Sequence, residues 1–592
     1  MRIVLLKEIP EDAELGRQWN CLALRTERPQ VFYTYEWALA VYRAYGATLH
    51  PLLFLAYDEV GALCGVAALS TDADEKCASF LCSTTGDYCD FLSAPEKKDE
   101  FVAAIVGELK ELGIKRTAFA NLPADSGTLA AIRRAAPHHS SFCFARTAYV
   151  CAQVSLDRLE QGKDGKPVAP GLKRLRRLVK AMGPQAPIQV EHRRTWDSVE
   201  PVLAEFIQAH VARFLEIGRI SNLVEAQRQI FLAELAKVLS ERQWFVLTRM
   251  TAGERAIAWH YGFQFQGSWF WYQPTFDSSV EKHWPGFCLL SHVIQDACDD
   301  PSMTVLDLGL GSEAYKAKFA NESCETLYVT LHRSILEHWA TIVRYRVASA
   351  VKSSARMEKF SGEIRKKLQG IRRRLRDSGA WSTAIWAGKR AARLVRERVE
   401  VVFFEGDDCE HVSARPQNLQ LVPLTLGHLA LAATAHNADD LTLEYLLRCA
   451  KRLRAGGAEG YVLAEVGRAV HFAWTAPMDG FFCSELNTAL RASSDSVILF
   501  DCWTPPVIRK QGYYEHAIEL ISSRIRSRGK RPWVFSVVGN VASTRGIERA
   551  GFQRRYSLMR QRVLGRERII GDPLTLPKAM PQMAAGSEDS AA

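Results

Sequence analysis

The chain predicts an α/β fold in which one layered module, a mixed sheet flanked by helices, is used three times. Three observations carry this prediction. The passages "EVGALCGVAAL" from Glu59, "AGERAIAWHYGF" from Ala252 and "EVGRAVHFAW" from Glu465 each place a glycine turn before alternating small and apolar residues. That pattern reads as a hairpin entering a half-buried strand. The turn glycines, Gly61, Gly253 and Gly467, recur roughly 200 residues apart, about one module each. Helical periodicity flanks the second and third passages, in "EFIQAHVARFLEIG", "IFLAELAKVLSE" and "TLEYLLRCAKRLRAGG", the last ending on a glycine stop.

The 592 residues suffice for about three or four domains. With 47% hydrophobic and 24% charged residues, the composition is that of a globular protein with several cores. The opening "MRIVLLKEIPEDAEL" has a short apolar patch before charge returns, so no signal peptide is expected there. No apolar run reaches the ~18 residues that span a bilayer. A cytoplasmic protein is expected, peripheral at the inner membrane face if its basic segment binds lipid.

The net charge of +10 is local. Residues 351–400 hold 15 Lys/Arg against 5 Asp/Glu, which equals the excess of the whole chain. Within them Met357, Phe360, Ile364, Leu368, Ile371 and Leu375 recur at steps of three and four. That spacing predicts an amphipathic helix with a cationic face. A solvated helical arm and an interfacial helix on anionic lipid, with Trp381 and Trp386 near the headgroups, are the two readings. Residues 351–398 are accordingly the expected contact with an anionic membrane or a polysaccharide synthase. Aromatic interleaving of the kind that binds RNA is missing from this segment, so nucleic acid is not an expected partner.

The 14 cysteines form no CxxC pair. Cys409 and His411 lie close together but lack the further ligands of a zinc site, so no metal is expected. The tail after Pro573, "LTLPKAMPQMAAGSEDSAA", has the composition of a disordered segment.

The stretch "DLGLGSEAYKAKFA", Asp307 to Ala320, admits two chemistries. Asp307, Gly309 and Gly311 fit the first loop of an S-adenosylmethionine-dependent methyltransferase, but Glu313 replaces the third glycine. One strand, "CETLYVTL", and then the basic segment follow it, where that fold needs a series of strand–helix units. Other passages point elsewhere: "VFYTYEWALAVYRAYG", "GDYCDFL", "LKRLRRLVK", "FIQAHVARF", "AIAWHYGF" and "WYQPTFDSSVEKHWPG". Together with "LDLGLGSEAYKAKF", residues 15–335 resemble the CelD-type acyltransferases of cellulose biosynthesis. These are GNAT-like proteins related to the FemAB peptidoglycan aminoacyltransferases. The resemblance implies two GNAT-like halves in tandem, 1–150 and 151–335, each with a splayed central sheet. A basic helical linker, 336–399, then joins them to a third module at 400–572, ahead of the tail 573–592.

That third module carries a second resemblance. "TPPVIRKQGYYEHAIELI" from Thr504 is similar to the acetyl-CoA pyrophosphate loop and following helix of ordinary GNAT N-acetyltransferases. The strand "SVILFDCW" precedes it, so backbone N–H groups at a helix N-terminus can cradle phosphate. Val507, Arg509, Lys510, Gln511, Gly512, Tyr513 and Tyr514 form the implied cradle, Tyr514 standing where the family has Gly or Ala. Asn540 opens "NVASTRGIERAGF", which resembles the family's downstream signature, with Ile547 where a thiolate-protonating tyrosine is common.

The chemistry these resemblances imply is transfer of an acyl group from acetyl-CoA, or another acyl-CoA, to an amine or hydroxyl. It needs one base and a backbone oxyanion donor, and no metal. Asp501 and His471 are the base candidates of the third module, Asp307 and Glu313 those of the tandem unit. Pro285 and Gly286 mark the corresponding helix start. Tyr272, Tyr315 and Lys316 are the candidate substrate contacts, with His260 beside them, and Trp259, Tyr261, Trp269 and Trp271 supply aromatic faces. The resemblance implies a saccharide or other cell-envelope or exopolysaccharide precursor as acceptor. A non-catalytic polysaccharide-binding scaffold is the alternative, with methyltransferase behind it.

Overall fold

The structure is a computed structural model that describes residues 1–163, 165–352, 396–406, 419–435, 438–465, 467–563 and 566–571. The amphipathic run from Met357, Trp381, Trp386, Cys409, His411 and the tail after Pro573 lie outside them. The chain divides into two compact units, the first holding residues 1–213 and 222–350, the second 214–221 and 351–592.

In the first unit the strands are β1 (Arg2–Leu6), β2 (His50–Tyr57), β3 (Leu63–Thr71), β4 (Cys77–Phe80), β5 (Leu92–Ser93), β6 (Arg116–Pro123), β7 (Phe142–Ser155), β8 (Ile188–Arg193), β9 (Phe245–Ala252), β10 (Arg255–Phe265), β11 (Ser268–Phe276), β12 (Val305–Asp307) and β13 (Glu322–His332). The helices are α1 (Ala13–Leu24), α2 (Tyr35–Tyr45), α3 (Lys98–Glu111), α4 (Thr128–His138), α5 (Leu172–Met182), α6 (Trp196–Glu216), α7 (Ala226–Glu241), α8 (Pro285–Asp299) and α9 (Ile335–Lys352).

One 13-stranded sheet runs β1-β2-β3-β4-β6-β13-β7-β12-β11-β10-β9-β8, with β5 paired to β3. It is a repeat. Strand, two helices, three antiparallel strands, helix, parallel strand describes β1 to β6 and again β8 to β12. The parallel pairings are β4 with β6 and β11 with β12, each bridged by a helix, α3 and α8. The closing strands are exchanged: β13 of the second half pairs with β6 of the first, and β7 of the first with β12 of the second. β7 and β13 also pair with each other from Glu322↔Gln153 to His332↔Phe142. The expected junction at residue 150 therefore falls inside β7. Both halves share one sheet because each needs the other's last strand to cover an unpaired edge.

Local sequence explains the elements. β2, "HPLLFLAY", is buried on both faces, as an interior strand of a covered sheet must be. α2 starts at Thr34, whose side chain accepts from the Trp37 amide. Phe101, Val102, Ile105, Val106 and Leu109 give α3 one buried stripe. Gly65 on β3 admits it, since a Cβ there would meet the Phe101 ring at 2.6 Å.

The second unit has β14 (Arg396–Gly406), β15 (Gln420–Pro423), β16 (Glu459–Glu465), β17 (Arg468–Pro477), the short β18 (Phe482–Cys483) and β19 (Thr488–Ala489), β20 (Ser496–Trp503), β21 (Arg531–Val537), β22 (Phe552–Val563) and β23 (Arg566–Gly571). The order β15-β16-β17-β20-β21-β14-β22-β23 repeats the same plan. β20 and β21 are parallel, bridged by the helix Tyr513–Arg526. Between β21 and β22 lies β14, antiparallel to both. In all three modules a strand from outside the local run fills the slot after the parallel pair. Gly61, Gly253 and Gly467, with φ of 81°, 61° and 70°, sit at the equivalent turns β2–β3, β9–β10 and β16–β17. Both sheets are mainly antiparallel, unlike the doubly wound parallel sheet a methyltransferase loop requires.

Candidate active site

In the second half of the first unit, β11 and β12 run parallel through Ser268↔Val305, Trp269↔Leu306 and Phe270↔Asp307. There they part. β11 continues with Trp271 and Tyr272, while the other arm turns away through Gly309 and Gly311, at φ of 71° and 95°. A loop from the first half enters the opening. The Tyr272 hydroxyl donates to the Thr85 carbonyl, and Tyr88 Oη donates to Asp307 Oδ2 at 2.8 Å. Asp87 lies between these two contacts in sequence, and a Cβ on Gly309 would come within 2.6 Å of its Oδ2. Glycine is required at 309 by backbone angle and by this close approach alike.

Two carboxylates thus meet in one cleft, in different states. Asp307 is 2% exposed and saturated: Oδ2 accepts from Tyr88 and from Gln153 Nε2 at 2.7 Å, Oδ1 from the Gly309 amide at 2.7 Å. Burial raises its pKa, and these hydrogen bonds oppose the rise. Asp87 is pushed up to about 7, first by burial and then by the charge of Asp307. Lys316, the Leu310 amide and Arg228 pull it the other way. Arg228 is 5% exposed, and its Nη2 donates to Tyr272 Oη at 3.1 Å. Burial works against its charge, but Tyr272 and Tyr261 more than compensate and raise its pKa.

The other candidates of this unit separate by role. Lys316 is 4% exposed, donates to the Leu310 carbonyl at 2.7 Å and pairs with Glu313 at 2.8 Å, so it staples the glycine loop. Glu313 is an exposed partner of that staple, outside the cleft's buried part. Tyr315 packs against the core around Trp271, and burial lifts its pKa to about 12. His260 is fully buried, stacked on Trp271 with centroids 4.2 Å apart, and burial lowers its pKa to about 3. Trp259, Tyr261, Trp269 and Trp271 are all at most 2% exposed, so they fill the core and offer no stacking face. α8 begins at Pro285 after Trp284, which sits at φ 58° under the Arg174 and Lys318 cations, 4.7 and 5.2 Å from its ring centre. Gly286 lets this helix start approach Phe276, which a Cβ would meet at 3.0 Å.

The equivalent cleft of the first half is closed by its own chain. β4 and β6 separate after Ser79↔Ala118. The Cys89 amide then donates to the Asn121 carbonyl at 3.0 Å, and Asn121 Nδ2 to the Gly86 carbonyl at 2.9 Å. At the first turn of α3, Lys98 is 3% exposed, bonds the Phe91 carbonyl at 2.9 Å and lies 3.7 Å from Asp90. The loop that seals one half therefore delivers Asp87 to the other. Asp87, Tyr88, Gln153 and Arg228 were not among the sequence candidates, although Asp87 and Tyr88 stand in the quoted "GDYCDFL". The long-range pairing that brings Tyr88 and Gln153 to Asp307 leaves no local signal.

In the second unit β20 and β21 pair from Ser496↔Arg531 to Leu499↔Val534 and then part. Asp501, at φ 49°, begins a bulge against β17, where Phe472 faces Trp503 and Trp474 faces Phe500. Arg452 Nη1 bonds Asp501 Oδ2 at 2.6 Å, and Tyr445 Oη donates to the Asp501 carbonyl at 3.2 Å. Asp501 is thus an ion-paired anchor of the bulge. His471 Nδ1 lies 2.7 Å from Thr504 Oγ1, its ring is 1% exposed, and burial drops its pKa to about 3. It is a neutral imidazole beside the start of the cradle loop.

In that loop Val507 is 70% exposed, and Arg509 Nε donates to the Thr504 carbonyl at 3.0 Å. Lys510 and Gly512 both take positive φ, 67° and 80°, with Gln511 between them. The turn ends at the helix Tyr513–Arg526, whose N-cap is Gly512. Tyr513 packs with the cluster of Leu463 and Val470. Tyr514 Oη lies 2.9 Å from Ser543 Oγ, and its ring covers Gly546. Asn540 caps the helix Val541–Arg549 by accepting from the Ser543 amide at 3.2 Å, and Ile547 is buried. No group of residues able to hold a metal ion occurs among the described residues, and none of their helices is long and apolar enough to cross a membrane.

Residues 171–317, which span the parting of β11 from β12, match the family described as acetyltransferase (GNAT) domain. Over these residues the chain is similar to that family. No curated protein matches the chain. Among solved structures it is similar to L-PGS from Bacillus licheniformis, 11% identical over 56% of this chain and 96% of that one, TM-score 0.37. It is also similar to FemX, at 9% identity over 56% and 97%, TM-score 0.38. A tandem GNAT protein from the clavulanic acid biosynthesis pathway is 12% identical over 55% and 97%, TM-score 0.33. The first unit repeats one strand order twice, and the matched residues 171–317 lie in its second half.

Proposed function

We propose that this chain is an acyltransferase that moves an acyl group, acetyl in the simplest case, from a CoA thioester to an amine or hydroxyl. The acceptor we assign is a cell-envelope or exopolysaccharide precursor. The observation that carries the CoA assignment is the parting of β20 from β21 beyond Leu499↔Val534, followed directly by the turn into the helix at Tyr513. A thioester arm fits between parted strands, and phosphate suits the N-terminal end of a helix.

In the second half of the first unit the same geometry adds a base. Asp87 holds a proton up to about pH 7 and stands in the cleft where the strands part. A carboxylate so poised can take the proton of an attacking amine or hydroxyl, which then forms a bond to the thioester carbon as the C–S bond breaks. Arg228 and Lys316 favour the charged form of Asp87, which lets it give up and regain its proton near neutral pH.

Calorimetric titration of the full chain with acetyl-CoA, and separately with S-adenosylmethionine, tests the reading. Binding of acetyl-CoA that disappears in Gly512→Trp places the donor at residues 507–514. Binding that survives moves it to the first unit. Failure of acetyl-CoA to bind, or binding of S-adenosylmethionine, rejects the proposal.

A further inference from the structure

Cys151 on β7 and Cys324 on β13 face each other in the register of the exchanged strands. Directly opposed residues of an antiparallel pair hold their Cβ atoms about 4.5–5.5 Å apart, near the reach of a disulfide. The two thiols differ in access: Cys151 is fully buried, while Cys324 is half-buried. Tyr88 Oη lies 3.4 Å from Cys324 Sγ and also bonds Asp307. The charge of the Arg28 guanidinium also favours the Cys324 thiolate. Partial exposure, a nearby cation and a hydrogen bond are what make a thiol nucleophilic. Consistently, the Cys324 pKa is lowered, first by Cys151 and further by Tyr88.

We propose that Cys324 and Cys151 are a redox-modification site, an attacking and a resolving thiol that close reversibly into a disulfide, with small-molecule disulfides as the oxidant. The Cys324 thiolate attacks one sulfur of the oxidised disulfide and expels the first thiolate. Cys151, losing its proton, then attacks Cys324 sulfur and expels the second. Two protein thiols and one small disulfide become one protein disulfide and two small thiols. The bond joins the closing strands of the two halves at the point where Tyr88 holds Asp307. In a reducing compartment such a bond is transient. This inference does not depend on the acyl-transfer reading.

The full chain is equilibrated with oxidised glutathione, alkylated and mapped by mass spectrometry without reduction. A linked Cys151–Cys324 peptide that dithiothreitol abolishes is the expected result, with a higher Tm for the oxidised chain because the bond closes a loop of about 170 residues. In Cys151→Ser, Cys324 retains one glutathione and no such rise in Tm occurs. The reduced Cys151→Ser chain is melted alongside to show that it folds. Glutathione stably held on Cys324 in the parent chain, or neither cysteine modified while the exposed Cys21 is, would overturn the assignment.

Discussion

Tyr88, in a loop of the first half, donates its hydroxyl at 2.8 Å to Asp307, the residue that ends the parallel strand of the second half. The contact spans 219 positions of sequence and is fully buried. It makes the cleft beside Asp307 a product of both halves. Tyr88→Phe keeps the ring and removes the donor, leaving a buried carboxylate with Gln153 and the Gly309 amide alone. The expected cost is about 1–3 kcal/mol of stability, read from urea unfolding. A cost near zero would mean that Tyr88 contributes packing only.

Asp87 gives the cleft a pH dependence whose sign is fixed. Its folded pKa, about 7, lies above the ordinary aspartate value of 3.8. Below about 4 both folded and unfolded chains hold the proton, so Asp87 costs nothing. As pH rises from there to 7, the unfolded chain releases the proton and the folded chain keeps it, so stability falls through that window. Asp87→Asn removes this contribution. The variant should match the parent near pH 4 and exceed it at pH 8 in Tm, with the difference accumulating between. If Asp87 is the base, acyl transfer in the parent climbs to a plateau above pH 7, and Asp87→Asn loses about 10²–10⁴-fold in rate.

Much of the plan was legible because it is local. The glycines at 61, 253 and 467 mark equivalent turns, "SVILFDCW" coincides with β20, and "HWPGF" marks the start of α8. The site was less legible, for a physical reason. Tyr88 and Gln153 reach Asp307 across 219 and 154 positions of sequence, through pairing between distant segments, which no short pattern encodes. His260 and His471 show the converse: each sits on a predicted strand in an attractive motif, yet each is buried and neutral in the core.

Gly546 and Tyr514 set the width between two helices in the second unit. A Cβ at 546 would lie 2.7 Å from Tyr514 Cδ1, inside any real contact distance. Gly546→Ala should therefore cost about 1–3 kcal/mol by overpacking, measured by denaturation of the full chain. Adding Tyr514→Ala removes the clash, so the double variant should be less destabilised than the two single effects summed. Additive effects would show that the ring moves aside freely and does not fix the helix spacing.

The sealed cleft of the first half makes the sharpest energetic claim. Lys98 and Asp90 are each 3% exposed in their side chains and 3.7 Å apart, at the end of α3 where an open module would present helix amides to phosphate. Burial raises the Asp90 pKa, and Lys98 with the hydroxyls of Thr128 and Ser126 opposes it. Lys98→Met keeps most of the volume but removes the cation from Asp90, which retains the Phe91 amide and the Ser126 and Thr128 hydroxyls, and from Glu27 at 3.4 Å; breaking such a buried pair costs about 3–5 kcal/mol. Asp90→Asn in the same chain removes the carboxylate charge and should recover part of that loss. Urea unfolding of the two single variants and the double variant measures this coupling. A single-variant cost below about 1 kcal/mol, the range of exposed pairs, would mean that water reaches the pair and that the first half's cleft is open to a ligand. A large cost with recovery in the double variant would leave the second half as the tandem unit's one cleft with room for a donor.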